Sequence, residues 1–295
     1  MSNVVSPIPQ VPLSDIAQSA IAAMSPPDAV PYGPGRRLGV SFSGGVDSAV
    51  VLVLAVEAFG PEAVVALIAV SPSLARRELR AARETAAEIG VELAEVATFE
   101  TDIPDYRANR ADRCFHCRTE MFTRFTGQTA TELGLAAIAY GENSSDVDRI
   151  DRPGAAAARD FGVLRPLAAA GIDKKGVRKL AREFGLSVAD KPASPCLASR
   201  VPHGVEVTPE LLRQIDDAED AVIEAGFPEA RVRHHGEIAR IEVPAADLVR
   251  LATPRVRARV VDGVRAAGYR HVTMDLAGLQ SGAFTLHVIG RRNDS

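Results

Sequence analysis

At 295 residues, 46% of them apolar, the chain is long enough for a full core and two domains of ordinary size. Aromatic residues make up only 5% and Trp is absent, so the core is expected to be aliphatic and stacking platforms for nucleic-acid bases scarce. A formal net charge of −4 offers no general attraction for polyanions, no apolar run reaches the roughly 20 residues that span a bilayer, and the Pro-rich start lacks a leader pattern. These features together point to a cytoplasmic protein without a membrane partner, and they disfavour a nucleic-acid partner without excluding one.

Residues 1–35 read as a partly disordered lead-in, rich in Pro and small residues, with one helix-compatible stretch from Leu13 to Met24. Regular alternation begins at Arg37. The apolar run Leu38–Phe42 predicts a strand, a Gly turn follows, and Ala49–Phe59 predicts a helix. Ala63–Val70 then reads as a buried strand, Ala75–Ile89 as a helix and Val91–Thr98 as another strand. Such alternation implies an α/β domain built on a doubly wound parallel sheet. Asp102–Arg113 is polar and irregular, Thr119–Leu133 is helical, and Ala136–Tyr140 predicts a strand whose carboxyl end carries Gly141-Glu-Asn-Ser-Ser-Asp146. Ligand loops of open α/β sheets belong at that end. A helix over Lys174–Phe184 is closed by Gly185, and the loop Asp190–His203 completes a first domain placed at 36–204.

In the second domain, 205–295, Thr208 caps a helix over Pro209–Ala225 that has Pro at its first position. Strands at Arg231–His235 and Ile238–Val243, a helix at Pro254–Ala267 and a strand at His271–Leu276 follow. This order describes a small split-βαβ-like α+β unit.

Ser41-Phe-Ser43-Gly44-Gly45-Val46-Asp47-Ser48 lies between a predicted strand and a predicted helix. Small residues there let successive backbone N–H groups face one anion, and the helix N-terminus adds the positive end of its dipole. Ser43 and Ser48 supply hydroxyls, and Asp47 can hold Mg²⁺ or the loop itself. Without a ligand the same residues read as a tight strand-to-helix turn. The loop lacks the Gly-Lys-Ser/Thr ending of a Walker A, and it is not the Gly-x-Gly-x-x-Gly of dinucleotide folds.

The Ser-Gly-Gly-x-Asp-Ser run resembles the loop of the PP-loop ATP-pyrophosphatases. That resemblance implies an adenine nucleotide alpha hydrolase-like fold, ATP with Mg²⁺, and transfer of AMP to an acceptor. Asp190-Lys-Pro-Ala-Ser-Pro-Cys196-Leu-Ala-Ser199-Arg200, Cys114-Phe-His-Cys117, the Gly141–Asp146 run and the tail Tyr269–Gly278 are similar to segments of LarE-type sulfur transferases, a likeness spanning most of residues 37–285. It implies adenylation of a carboxylate of pyridinium-3,5-biscarboxylic acid mononucleotide and its conversion to a thiocarboxylate for a nickel-pincer cofactor. A homo-oligomer, trimer or hexamer, is implied too.

The chain has three cysteines. Within the resemblance, Cys196 either attacks the acyl-adenylate and surrenders its own sulfur, or joins Cys114 and Cys117 in ligating a 4Fe-4S cluster with one open iron. The residues alone also admit zinc with His116 or His203, a Cys114–Cys117 redox disulfide, or buried thiols. By resemblance Ser199 and Arg200 contact substrate, Arg231 and Arg233 form a two-pronged phosphate site, and Glu219 and Glu242 bind a divalent metal. Alternation along a strand would make those two guanidiniums converge. A solvated strand face and exposed glutamates are the structural alternatives, and His234 and His235 either line the same cleft or lie at the surface. A tRNA thiolase, an amidating synthetase and a non-catalytic ATP-binding module are the competing functions. The first calls for a more basic surface, the second for an ammonia source, and the third has no need of Cys196.

Overall fold

The computed structural model describes residues 13–26, 28–147 and 154–279. The first twelve residues of the lead-in, and the stretch of the likeness from 280 to 285, lie outside the described residues. In chain order the first elements are α1 (Asp15–Ala22), β1 (Arg37–Ser41), α2 (Val46–Phe59), β2 (Val64–Val70), α3 (Arg76–Ile89) and β3 (Glu92–Ala97). Next come α4 (Pro104–Arg107), α5 (Arg113–Thr126), α6 (Gln128–Leu133), β4 (Leu135–Tyr140), α7 (Ser144–Val147), α8 (Gly154–Asp160), α9 (Pro166–Ala169) and α10 (Lys174–Glu183). The last are α11 (Pro209–Glu224), β5 (Arg231–His235), β6 (Ile238–Glu242), α12 (Leu248–Leu251), α13 (Pro254–Ala266) and β7 (His271–Met274).

The chain divides into two units. One comprises the described residues of Met1–Glu100 and Cys114–Ser194, the other those of Thr101–Arg113 and Pro195–Ser295. This differs from the linear boundaries 36–204 and 205–295, and side-chain hydrogen bonds explain why. Asn109 Nδ2 donates to the carbonyls of Pro202 (2.8 Å) and Val205 (3.1 Å), and Arg113 Nη1 donates to that of Ala198 (2.9 Å). A distant strand of chain is thereby sewn onto the Pro195–Val205 segment, which no reading of local periodicity can anticipate.

The first unit carries a parallel sheet in the order β3-β2-β1-β4. β1 is central, and its burial rises to completeness along Leu38–Val40 because strands flank it on both sides. α2 is buried at every position from Ser48 to Ala55, consistent with its almost unbroken apolar sequence. α3 is the opposite case: it is charged on its outer face and buries only Ala82, Thr85, Ala86 and Ile89. Ser41 thus ends the central strand at the carboxyl edge of the sheet, in register with Tyr140 of β4.

Two expectations need correcting. The helix expected over Thr119–Leu133 is two helices, α5 and α6, parted at Gly127, whose φ of −87° and ψ of −121° leave helical space. α5 also begins earlier, at Arg113, so Cys114 and Cys117 sit in a helix and not in a loop. Likewise the irregular stretch Asp102–Arg113 includes the short helix α4, opened by Pro104.

The second unit has a three-stranded sheet, β5-β6-β7, with β5–β6 antiparallel and β6–β7 parallel. α11 and α13 cover it. A Cβ on Gly263 would stand 2.6 Å from Ala221 Cβ, so the lack of a side chain there sets how closely the two helices approach. Thr208 caps α11 as expected, its Oγ1 accepting from Leu211 N at 3.2 Å.

Candidate active site

The loop from Ser41 to Ser48 is shaped by its own residues. Ser43 N donates to Ser48 Oγ (3.2 Å), and that hydroxyl donates to Gly45 O (3.0 Å), folding the chain back onto the first turn of α2. Gly44 adopts φ +69°, a conformation that favours Gly, and packs against α3, where a Cβ would meet Ala82 Cβ at 3.1 Å. No side chain caps α2, so its N-terminal dipole and amides point into the loop's concavity. The end of β4 closes in from the other side: a Cβ on Gly141 would lie 2.8 Å from Ser48 N.

Asp47 is held from two directions. Asn143 Nδ2 donates to its Oδ1 (3.1 Å) and Lys174 Nζ pairs with its Oδ2. Asn143 is 1% exposed, also donates to Asp146 Oδ2 (2.8 Å), and keeps a buried Oδ1 with no hydrogen-bond partner among the described residues. A carboxylate, an orphaned amide oxygen and a cradle of glycines fit a magnesium–triphosphate group. Asn143 fell within a run that the sequence placed at a ligand-binding edge, whereas Lys174 carried no signal beyond opening a helix.

On the opposite flank Lys191 Nζ donates to Gly44 O (3.1 Å) and to Glu78 Oε2 (2.8 Å). Glu78, in the first turn of α3, also accepts from Ser194 Oγ (2.8 Å). Sequence reasoning missed Glu78, because an acidic residue in a first helical turn has an ordinary reading as dipole compensation.

The second unit holds a different construction. Arg200 and Glu219 face each other through two bonds, Nε to Oε1 (2.8 Å) and Nη2 to Oε2 (3.1 Å), with both side chains essentially excluded from solvent. Arg233 and Glu242 repeat the fork at 3.0 and 2.9 Å. The alternatives of exposed glutamates and a solvated strand face do not hold, and the burial of these charges requires that they be paired. The remaining nitrogens shape the backbone around Cys196: Arg200 Nη1 donates to Pro195 O (2.7 Å), Cys196 O (3.2 Å) and Ser199 Oγ (2.9 Å), and Arg233 Nη1 to Ser199 O (2.9 Å).

Arg231 is buried beside them. Loss of solvent, then the neighbouring charges of Arg200 and Arg233, lower its pKa from the ordinary arginine value. The nearby carboxylates of Glu242 and Glu219 act in the opposite direction. Burial also lowers His234 and His235 below the usual histidine value and raises the Tyr269 phenol, whose oxygen stands 3.2 Å from His234 Nδ1.

Cys114 and Cys196 are exposed and Cys117 is partly so. Cys114 and Cys117 are one helical turn apart, on one face of α5. Among the described residues no three or more His, Cys, Asp or Glu side chains stand together as a group that could hold a metal ion. Of the histidines considered for zinc, His203 Nδ1 is 3.1 Å from Asn109 O and the His116 ring packs edge-on against Phe115. No helix among the described residues is long and apolar enough to cross a membrane.

Residues 35–126 match a family described as NAD synthase. The chain is 34% identical over 247 residues to the pyridinium-3,5-bisthiocarboxylic acid mononucleotide synthase of Lactiplantibacillus plantarum, an alignment covering 84% of this chain and 88% of that protein. It is 38% identical over 251 residues to an uncharacterised protein of Synechocystis, covering 85% and 92% respectively. Against an uncharacterised protein of Methanocaldococcus jannaschii the identity is 24% over 208 residues, covering 70% and 78%.

Proposed function

The chain belongs to the LarE-type family of ATP-dependent, adenylating sulfur transferases, and from that membership we propose that it adenylates a carboxylate of pyridinium-3,5-biscarboxylic acid mononucleotide and replaces the activated oxygen with sulfur. The product class is the thiocarboxylate used for a nickel-pincer cofactor. The observation that carries this reading is the phosphate loop, with its uncapped helix end and an Asp47 held by Asn143 and Lys174, in a chain that also presents an exposed thiol at Cys196.

A carboxylate resists nucleophiles because oxide is its leaving group. Activation therefore comes first: a carboxylate oxygen attacks the α-phosphorus of ATP, the bond to the bridging oxygen breaks, and pyrophosphate departs with the electron pair. Bound Mg²⁺ would be held by Asp47 and would neutralise phosphate charge. The loop amides from Ser43 to Asp47 and the α2 dipole bind the pyrophosphate portion. Arg231 takes the phosphate of the mononucleotide substrate, while Arg233 stays paired with Glu242 beside it.

Sulfur transfer follows at Cys196. Its thiolate attacks the acyl carbon, AMP leaves with the C–O electron pair, and a thioester forms. A base then removes the Cα proton, the Cβ–S bond breaks, and the thiocarboxylate leaves with that pair, turning Cys196 into dehydroalanine. A second reading, motivated by the one-turn spacing of Cys114 and Cys117, is that these two thiolates and Cys196 would hold a 4Fe-4S cluster, which would supply the sulfur in place of the Cys196 side chain.

Pyrophosphate release on adding the carboxylate substrate with Mg-ATP is the direct test. Asp47→Ala should abolish it with the fold intact, and release at the wild-type rate would remove Asp47 from the reaction. Loss of the mass of hydrogen sulfide from Cys196 after one turnover supports the sacrificial route. A brown anaerobic protein holding about four irons per chain supports the cluster.

A further inference from the structure

Between Lys191 and Cys196 the backbone belongs to no helix or strand. This strap is anchored by side chains. Lys191 Nζ bridges Gly44 O of the phosphate loop (3.1 Å) and Glu78 Oε2 (2.8 Å), while Ser194 Oγ donates to the other Glu78 oxygen (2.8 Å). Arg178 Nη2 holds the carbonyl of Lys191 itself (3.2 Å). The same helix that carries Glu78 also seats the loop, through Ala82 against Gly44. One carboxylate on α3 therefore grips two residues of the strap, Lys191, which also reaches the loop at Gly44 O, and Ser194, two residues ahead of Cys196.

We propose that Glu78 is a positioning residue that clamps the Lys191–Ser194 strap to the phosphate loop, so that nucleotide in the loop orders the backbone leading into Cys196. The inference rests on the reading above that the loop binds Mg-ATP. Its physical basis is charge. An anion in the loop attracts the Lys191 ammonium, and Glu78, bonded to that ammonium on one oxygen and to Ser194 on the other, passes the restraint along the strap. With Glu78 neutralised or removed, Lys191 can still answer the nucleotide, but Ser194 loses its tie. The clamp would thus let sulfur delivery follow activation.

Peptide-resolved hydrogen exchange of the full chain, with and without Mg²⁺ and a non-hydrolysable ATP analogue, tests this. In the wild type the analogue should slow exchange in both the 43–48 loop and the 191–197 strap. In Glu78→Gln and in Ser194→Ala the loop should keep its protection while the nucleotide-induced protection of the strap falls by about tenfold, the scale of one charge-assisted hydrogen bond. Wild-type-like strap protection in both variants would overturn the clamp. Absence of loop protection in the wild type would sink the nucleotide reading and the clamp with it. Ser194→Ala leaves α3 untouched, so the test survives if Glu78→Gln proves unstable.

Discussion

The phosphate loop and the buried Arg–Glu pairs are two ways of handling negative charge. The loop works through backbone: glycines at 44, 45 and 141 admit close approach, and an uncapped helix end supplies the field. The pairs work through side chains: Arg200 with Glu219 and Arg233 with Glu242 neutralise each other out of solvent, and their spare nitrogens shape the turn that carries Cys196. A backbone cradle remains ready for an incoming anion because no side chain caps the helix end that faces it. Charges already paired in the interior are committed to structure. Function in the first region is therefore expected to be sensitive and stability tolerant, and in the second region the reverse.

The sharpest way to break this contrast is to remove one member of a buried pair. Glu219→Ala leaves Arg200 charged and uncompensated, and should cost about 3–5 kcal/mol in urea denaturation. A loss below about 1 kcal/mol would move the pair into the exposed class. Pairing Glu219→Leu with Arg200→Met should restore much of that stability while the turn before Ser199 loses its anchor.

In the loop, Gly141→Ala introduces a methyl 2.8 Å from Ser48 N and pushes β4 against the first turn of α2. Nucleotide affinity by calorimetry should fall by about tenfold or more, with a stability loss of about 1–3 kcal/mol from overpacking. Unchanged affinity would mean that the cradle's width does not matter.

A smaller effect is expected where the second unit uses an ordinary device. Thr208→Ala removes the cap on α11 and should cost about 1 kcal/mol, read in the same denaturation, without touching nucleotide binding.

The smallest effect concerns pH. Burial lowers His234 and His235 in the folded chain, so the unfolded chain binds more protons as pH drops toward and below the ordinary histidine value of 6.5. Stability contributed by these groups is present above that value and is lost as pH falls from it down through the lowered values of the folded chain. The melting temperature should decline on acidification from neutral pH, and His234→Asn should flatten the decline. An unaltered slope would place the titration elsewhere.

Much of the fold was legible because it rests on local signals. Alternating apolar runs marked β1 to β3 to within a residue or two, Gly185 ends α10, and Thr208 with Pro209 opens α11. α5 was less so: Cys114-Phe-His-Cys117 lacks a strong apolar period, and only its surroundings make it helical. Of the candidate site, the phosphate loop was readable since its geometry needs small residues at fixed spacing.

What the sequence determined alone was a strand-loop-helix able to cradle phosphate, a thiol at Cys196 and a second α+β unit. Tertiary structure decided the rest. Glu219 lies on α11 and Glu242 on β6, and their burial against Arg200 and Arg233 comes from packing between elements far apart in the chain. The same holds for Lys174 reaching back to Asp47 and Lys191 to Gly44, and for Thr101–Arg113 joining the second unit. Spacing along a chain reports neighbours within a helix or strand, whereas a charge finds its counter-charge only once desolvation on folding forces the two together.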